Sequence, residues 1–487
     1  MSHSNNHQVI IIGAGMSGIC MGVRLRELGI DDFVILEKSA GVGGTWYDNT
    51  YPGACCDVPS VLYSYSFEPN PNWSRKYSPH DEIRAYFEHC ADKYGLRDRL
   101  RLSTAVHSAD FDEAAGEWQV TLEGGELLRG RALVSGLGQL NIPNTPAFAG
   151  AETFAGEQFH SARWRHDIDL QGKRVAVVGN AASALQFIPH VAREAAQLYV
   201  YQRSANYVVK RNDSNYSDGA KRRFARWPWL QKLHRGAVYL RGELLFYPVL
   251  RNSRLLRPLW EKWARDHLQE HIDDPTLRRK LTPDYPVGCK RILVADDYYQ
   301  AFARDNVELV TAAITAVDAD GVVSADGEAR PVDVIIYGTG FNTSAMLSGV
   351  NFAGSGGRSL AEAWAQGAEA YRGVCVAGFP NLFMLYGPNT NLGSNSIIFM
   401  VERQVRYAAA CIEKLLTHDL HALDVNAAAM RAYNDHMQGE LAGTVWVANC
   451  DSWYKNAAGK VVNNWPNSTL YYWWHMRGPD FADFDMR

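Results

Sequence analysis

The chain has 487 residues, of which 47% are apolar and 21% charged, and its 49 Lys or Arg stand against 53 Asp or Glu for a net charge of −4. This composition excludes disordered, collagen-like and coiled-coil chains, and the balanced charge gives no reason to expect nucleic acid or an acidic membrane as the main partner. The length accommodates two or three domains of roughly 100–200 residues each.

No run approaches the ~18 uninterrupted apolar residues that span a bilayer. The best stretch, Gly236 to Leu250, is broken by Arg241 and Glu243. The polar start, Met-Ser-His-Ser-Asn-Asn-His, lacks the apolar core of a signal peptide, so a cytoplasmic protein is expected. The eight cysteines show neither C-x-x-C nor zinc-like spacing. Reduced thiols and no metal site are expected from them.

A β-branched run, Gln8 to Ile12, leads directly into Gly13-Ala-Gly15-Met-Ser-Gly18 and then into a helical pattern ending near Gly29. A second strand, Phe33 to Leu36, ends at Glu37. Strand, glycine turn, helix and acidic residue in this register form a dinucleotide-binding fingerprint. Gly13 permits the tight turn, Gly15 admits a pyrophosphate to the backbone, and Gly18 allows close packing of helix on strand. Glu37 would take ribose hydroxyls and repel a 2′-phosphate, which favours FAD or NAD over NADP. Next comes Gly43-Gly44-Thr45-Trp46-Tyr47-Asp48-Asn49-Thr50-Tyr51-Pro52-Gly53-Ala54-Cys55-Cys56-Asp57, a segment dense in rare residues. A linker follows with Phe154, Gly156, His160 and Trp164 at fixed spacing. His160 reads as a structural residue there rather than a general base.

Arg174 to Val178 is a second buried strand, and Gly179-Asn-Ala181-Ala-Ser-Ala184 after it is a fingerprint with alanine at both later glycine positions. The following strand, Leu198 to Tyr201, ends at Gln202-Arg203-Ser204. Arg203 can fork onto a 2′-phosphate and Ser204 can donate to it, which is the pattern of NADP preference. One acidic and one basic ribose site in a single chain point to an oxidoreductase dependent on FAD and NADPH.

From Arg203 to Arg265, fifteen Lys or Arg face four Asp or Glu, interleaved with Trp227, Trp229, Tyr239, Phe246, Tyr247, Trp260 and Trp263. The spacing Leu255, Leu259, Trp263 predicts an all-helical insertion. Its favoured reading is helices packed on a domain interface with solvated arginines; peripheral membrane contact is the less favoured one. Gly288-Cys-Lys290-Arg291 follows, then the strand Asp333 to Tyr337 with its Gly338-Thr-Gly340 turn. Beyond Asn381 a strand, a Gly387-Pro turn and a helix from about Asn395 to Leu416 are expected, with Cys450-Asp-Ser452-Trp453-Tyr454 near the end.

These motifs resemble those of the Baeyer–Villiger monooxygenases, class B flavoprotein monooxygenases. The Gly44–Asp57 segment matches their longer signature, G-G-x-W, four residues, Y-P-G, three residues, D, and the linker is similar to their F-x-G-x-x-x-H-x-x-x-W fingerprint. One position departs: Arg165 follows Trp164 where that family has Pro or Asp, as in the related flavin-containing monooxygenases.

The resemblance implies an α/β chain of two Rossmann-like dinucleotide-binding domains with a helical insertion. An FAD-binding domain is expected at 1–150 and 343–487, an NADPH-binding domain at 151–211 and 286–342, and the insertion at 212–285. It implies oxygen insertion beside a ketone carbonyl by a flavin C4a-peroxide, giving an ester or lactone from NADPH and O₂. Arg291 and Asp57 become the catalytic candidates, the first stabilising developing anions and the second holding the guanidinium. Thr45, Trp46, Asp57 and Tyr63 join Gly13, Gly15, Gly18 and Glu37 as cofactor contacts. Gly179, Arg203, Ser204, Lys290 and Trp453 are assigned to the nicotinamide nucleotide. Two alternatives stay open: oxidation of N or S centres, as in flavin-containing monooxygenases, and a non-enzymatic FAD/NADP(H) redox sensor.

Overall fold

Two sheets carry the fold of the computed structural model, which describes residues 5–342, 347, 349–448, 450, 452–456 and 458–487. The expected domain start at 343 and the residue between Cys450 and Ser452 lie outside these described residues. The first sheet draws on β1 (Asn6–Ile12), β2 (Phe33–Leu36), β3 (Leu100–Arg101), β4 (Val106–Asp112), β5 (Glu117–Leu122) and β6 (Leu127–Ser135). Two later strands, Asn351–Ala353 and Leu382–Met384, complete it. Its order is Asn351–Ala353, β4, β5, β6, β1, β2, β3, and Leu382–Met384 lies along the second half of β6, beyond the reach of β5. Val9 to Ile12 are almost fully buried because both faces of β1 are covered, which is why the strand reads as a continuous apolar run rather than an alternating one.

The second sheet is wholly parallel. It contains β7 (Glu157–His160), β8 (Arg174–Val178) and β9 (Gln197–Tyr201), and a short parallel pair, β10 (Val208–Val209) and β11 (Leu293–Val294), stands beside it. After β12 (Val307–Val310) come the antiparallel β13 (Ile314–Val317), β14 (Gly321–Ser324) and β15 (Ala329–Pro331), then β16 (Val334–Tyr337). The sheet order is β12, β9, β8, β16, β7.

Helix α1 (Met16–Glu27) follows β1, the single turn α2 (Thr45–Asp48) and α3 (His80–Lys93) come next, and α4 (Ala182–Glu194) follows β8. Five α-helices lie between β10 and β11 in sequence: α5 (Asp218–Arg226), α6 (Pro228–Arg241), α7 (Tyr247–Leu250), α8 (Leu256–His271) and α9 (Pro275–Lys280). Their starts carry local signals: the Ser217 hydroxyl accepts from Ala220 N–H, Pro228 opens α6, and Asp274 accepts from Thr276 and Leu277 N–H. Then come α10 (Tyr298–Phe302), α11 (Leu360–Ala363), α12 (Ile397–Thr417), α13 (Ala427–Leu441) and α14 (Thr469–His475). The long α12 packs on α1 under the first sheet.

Between α6 and α7 the residues Gly242–Phe246 form a π-helical turn. A Cβ at Gly242 would lie 2.7 Å from the Ser394 carbonyl oxygen, so glycine lets the turn press against the chain just before α12. Asn395 Nδ2 donates to Glu243 Oε1 across that contact at 3.0 Å.

Helix α8 forms where the spacing of Leu255, Leu259 and Trp263 predicts a helix, with Trp260, Ala264 and Leu268 facing inward and Leu255, just before it, 87% exposed. One expectation is corrected: the cysteines are not all thiols, since Cys289 and Cys450 form a disulfide across 161 residues of sequence. Spacing could not reveal it, because the two cysteines lie 161 residues apart and meet only through the tertiary fold. Cys20, Cys55, Cys56, Cys90, Cys375 and Cys411 remain free. No helix among the described residues is long and apolar enough to cross a membrane.

Candidate active site

Each sheet presents the same device at the carboxyl end of its first fingerprint strand. After β1, Gly13 adopts a φ of +100°, and a Cβ there would lie 2.7 Å from the Gly136 carbonyl oxygen that follows β6. After β8, Gly179 adopts +104°, and its Cβ would lie 2.5 Å from the Gly338 carbonyl oxygen that follows β16. Only glycine fits either position without strain. The starts of α1 and α4 both line one cavity of 1590 Å³, to which they present unpaired N–H groups and the positive ends of their dipoles. That volume exceeds the ~300–1,000 Å³ of an ordinary single-ligand pocket.

The residues present fit FAD at the first device. Gly15 and Gly44 pack backbone to backbone in the cavity wall, where a Cβ on Gly44 would lie 3.0 Å from the Gly15 Cα, leaving a floor without side chains where a pyrophosphate can reach the backbone. Gly18 does not line the cavity; a Cβ there would lie 1.8 Å from the Gly13 carbonyl oxygen, so this glycine serves the packing of α1 on the turn. Glu37 is buried at the end of β2, accepting from Ala14 N–H at 2.7 Å and Ser39 N–H at 2.8 Å. A carboxylate so fixed can accept from ribose hydroxyls and rejects a phosphate in the same place.

At the second device the end of β9 is cationic. Lys290 Nζ donates to Ser204 Oγ at 2.8 Å, and the exposed Arg203 stands between Gln202 and Ser204 at the cavity wall. Asn180 Nδ2 donates to Gln202 Oε1 and to the Ser204 carbonyl, which fixes this strand end. Two cations and a hydroxyl gathered there suit the 2′-phosphate of NADP.

Between the two devices sits an ion pair. Arg291 Nε and Nη2 both donate to Asp57 Oδ2, at 2.7 and 2.6 Å, and the two side chains are 30% and 28% exposed in the cavity wall. The Asp57 charge holds the guanidinium protonated well above the ordinary arginine value. Tyr386 and Tyr454 contribute further to its surroundings, and burial pushes both phenols up, so they remain neutral donors or acceptors. The Trp46 indole donates to Tyr63 Oη at 3.0 Å with the rings edge to face, closing one side of the cavity.

A model of the pyridine nucleotide-disulphide oxidoreductase family matches residues 10–223. A Baeyer–Villiger monooxygenase of Pseudomonas aeruginosa is 44% identical over 467 residues, covering 95% of this chain and 88% of its own. The solved structure of an oxidized steroid monooxygenase bound to NADP superposes with a TM-score of 0.88 at 32% identity, covering 99% of each chain. The OTEMO complex with FAD and NADP gives 0.87 at 27% identity and the same coverage. The chain belongs to the Baeyer–Villiger monooxygenase family.

Within this Baeyer–Villiger monooxygenase fold, the structure brings every expected site residue except Gly18 to the same cavity. Trp453 stands at the rim, 38% exposed and in contact with the Tyr454 ring at 4.6 Å. Arg165, the position that departs from the family pattern, lies elsewhere: it forms a two-point pair with Asp167 on the surface, 45% exposed. His160 is buried with Nδ1 accepting from Ala162 N–H, and Trp164 packs between Phe159 and Phe187.

Sequence reasoning missed three residues. Gln186 on α4 accepts from Tyr51 Oη (3.1 Å) and Cys55 N–H (3.3 Å) and donates to the Cys55 carbonyl (3.0 Å). It thereby clamps the loop bearing Asp57 onto the second nucleotide unit. Tyr386 holds a left-handed φ of +64° and donates to Asn391 Oδ1 at 2.6 Å. Its place before Gly387-Pro was the available signal. Gly136 had a weaker one, the Gly-Leu-Gly at the end of β6. Outside the cavity, His267, Glu270 and His271 bring ligand-type atoms within 4.8 Å of one another, but Lys210 Nζ already sits 2.5 Å from Glu270 as their cation.

Proposed function

We propose that this enzyme uses NADPH and O₂ to insert one oxygen atom beside a ketone carbonyl, giving an ester or lactone. The observation that carries the reading is the Arg291–Asp57 pair set between an acidic and a cationic nucleotide site in one cavity. The FAD-binding part comprises 1–150 and 343–487, the NADPH-binding part 151–211 and 286–342, with the insertion at 212–285. In support, every strand of the eight-stranded sheet comes from the first set, and every strand of the five-stranded sheet from the second.

When bound and reduced by NADPH, FAD supplies the activation of O₂. The turn after Ile12 and the start of α1 hold its pyrophosphate, and Glu37 holds its ribose. Arg203, Ser204 and Lys290 bind the 2′-phosphate of NADPH. Arg291, always protonated, presents a fixed positive charge to oxygen atoms that become negative as the ketone carbonyl is attacked. Asp57 occupies its Nε and Nη2, which leaves Nη1 directed to other acceptors and keeps the guanidinium from turning away. The Trp46–Tyr63 pair and Trp453 keep bulk water from the reacting atoms.

The test is Arg291→Ala. Ester formation from a ketone should be lost while NADPH still bleaches the flavin at the parent rate; ester formation that survives the change refutes the assignment. A parallel sulfide assay separates the reading from N- or S-oxidation, because a sulfoxide as sole product across a ketone panel would overturn it.

A further inference from the structure

Helix α6 is amphipathic in the inverted sense. Its polar side faces the protein: Gln231 Nε2 donates to the Asn70 carbonyl, His234 meets Tyr216 Oη, and Arg235 Nη1 donates to the Val61 carbonyl. Its apolar side faces outward. Trp229, Leu233, Leu240 and, on the π turn, Leu244 recur at helical spacing, each between 54% and 65% exposed. Thr469 Oγ1, at the start of α14, bonds Tyr239 Oη and Glu243, tying to this stripe a helix whose Leu470 and Trp474 are equally exposed. A surface of this kind marks an interaction site.

Its rim is cationic. Arg222, Arg223, Arg226 and Lys232 are exposed and form no ion pair among the described residues, and Arg477 lies 3.5 Å over the Trp474 ring. We propose that this face docks the protein on an anionic lipid surface. Exposed Trp and Leu enter the boundary between headgroups and acyl chains, while long basic side chains reach the phosphates. A second copy of the chain fits poorly, because a twofold contact would set the same unpaired arginines against each other. The inner side of the docked helix meets Asn395, a residue of the cavity wall, through Tyr239 and Glu243. A lipid-dissolved, apolar substrate would therefore lie about one helix diameter, ~10 Å, from the cavity.

The experiment is co-sedimentation of the FAD-loaded protein with vesicles of phosphatidylcholine alone or with roughly one-third phosphatidylglycerol. Binding is expected to the anionic vesicles only, with release by high salt. Arg222→Glu with Arg223→Glu should weaken it by at least the about fivefold per side chain that loss of one basic group brings. Leu233→Ser with Leu240→Ser should abolish it. Both variants should keep the parent's flavin content and its turnover of a water-soluble ketone. The proposal is overturned if the protein stays in the supernatant with both vesicles, or if both variants bind like the parent. A dimer in analytical ultracentrifugation that Leu233→Ser with Leu240→Ser dissociates would also overturn it, assigning the face to a second copy.

Discussion

Replacing Gln186 by Ala removes three hydrogen bonds between α4 and the loop that carries Asp57. Each is a neutral bond worth a net ~1 kcal/mol, so the loop should lose about 2–3 kcal/mol of its hold on the second nucleotide unit. Two of the three reach Cys55, two residues before Asp57, so the loss falls on the residue that orients Arg291. If that energy now maintains the geometry of attack, ester formation should slow by roughly 30–150-fold, since ~1.4 kcal/mol is tenfold in rate. The proposed NADPH contacts Arg203, Ser204 and Lys290 involve none of these bonds, so NADPH binding should not change. The assay follows NADPH consumed, hydrogen peroxide released and ester formed in one reaction at saturating ketone. The variant should consume NADPH at a comparable rate but divert the oxygen to peroxide. A variant that melts a few degrees earlier yet keeps the parent's ratio of ester to peroxide would refute the reasoning, leaving Gln186 with a purely structural part.

Arg291→Lys keeps a cation but makes it titratable: the parent should show no activity loss from this group as pH rises to about 11, whereas the lysine variant should lose activity as its ammonium deprotonates near or above ~10.4, a difference read from kcat/KM against pH. Arg203→Ala should raise the KM for NADPH about tenfold while leaving that for NADH unchanged, because the lost contact is to the 2′-phosphate alone; equal effects on both nucleotides would place Arg203 elsewhere. Gly13→Ala would force a Cβ to 2.7 Å from the Gly136 carbonyl oxygen at a φ of +100°, so the purified protein should be colourless and melt earlier, as flavin absorbance and calorimetry would record.

The nucleotide sites were legible because their signals are local. A strand, a glycine turn, a helix start and the end of the next strand fall within some thirty residues, so Gly13, Glu37, Gly179 and Arg203 could be placed from spacing alone. Arg291 and Asp57, 234 residues apart, were paired only through resemblance to a family, and their shared contact is visible only in three dimensions. Gln186, Tyr386 and the Cys289–Cys450 bond gave still less warning, since each acts on a partner brought near by long-range packing. The insertion shows a different limit. An apolar stripe has the same period whether it faces a core or solvent, and so the pattern predicted helices correctly while α6 turned its Trp and Leu side outward.

The disulfide also sets a mechanical limit on the mouth of the cavity. Cys289 immediately precedes Lys290 and Arg291, and its bond fixes the Cα of Cys450 at 6.6 Å from its own. Trp453 follows three residues later, so even a fully extended chain carries it no more than ~11 Å from that anchor. The cystine thus works as a tether of short radius beside Arg291 that keeps the rim tryptophan within that reach of it. A reductant would remove that limit, freeing the rim segment from the loop that carries Lys290 and Arg291.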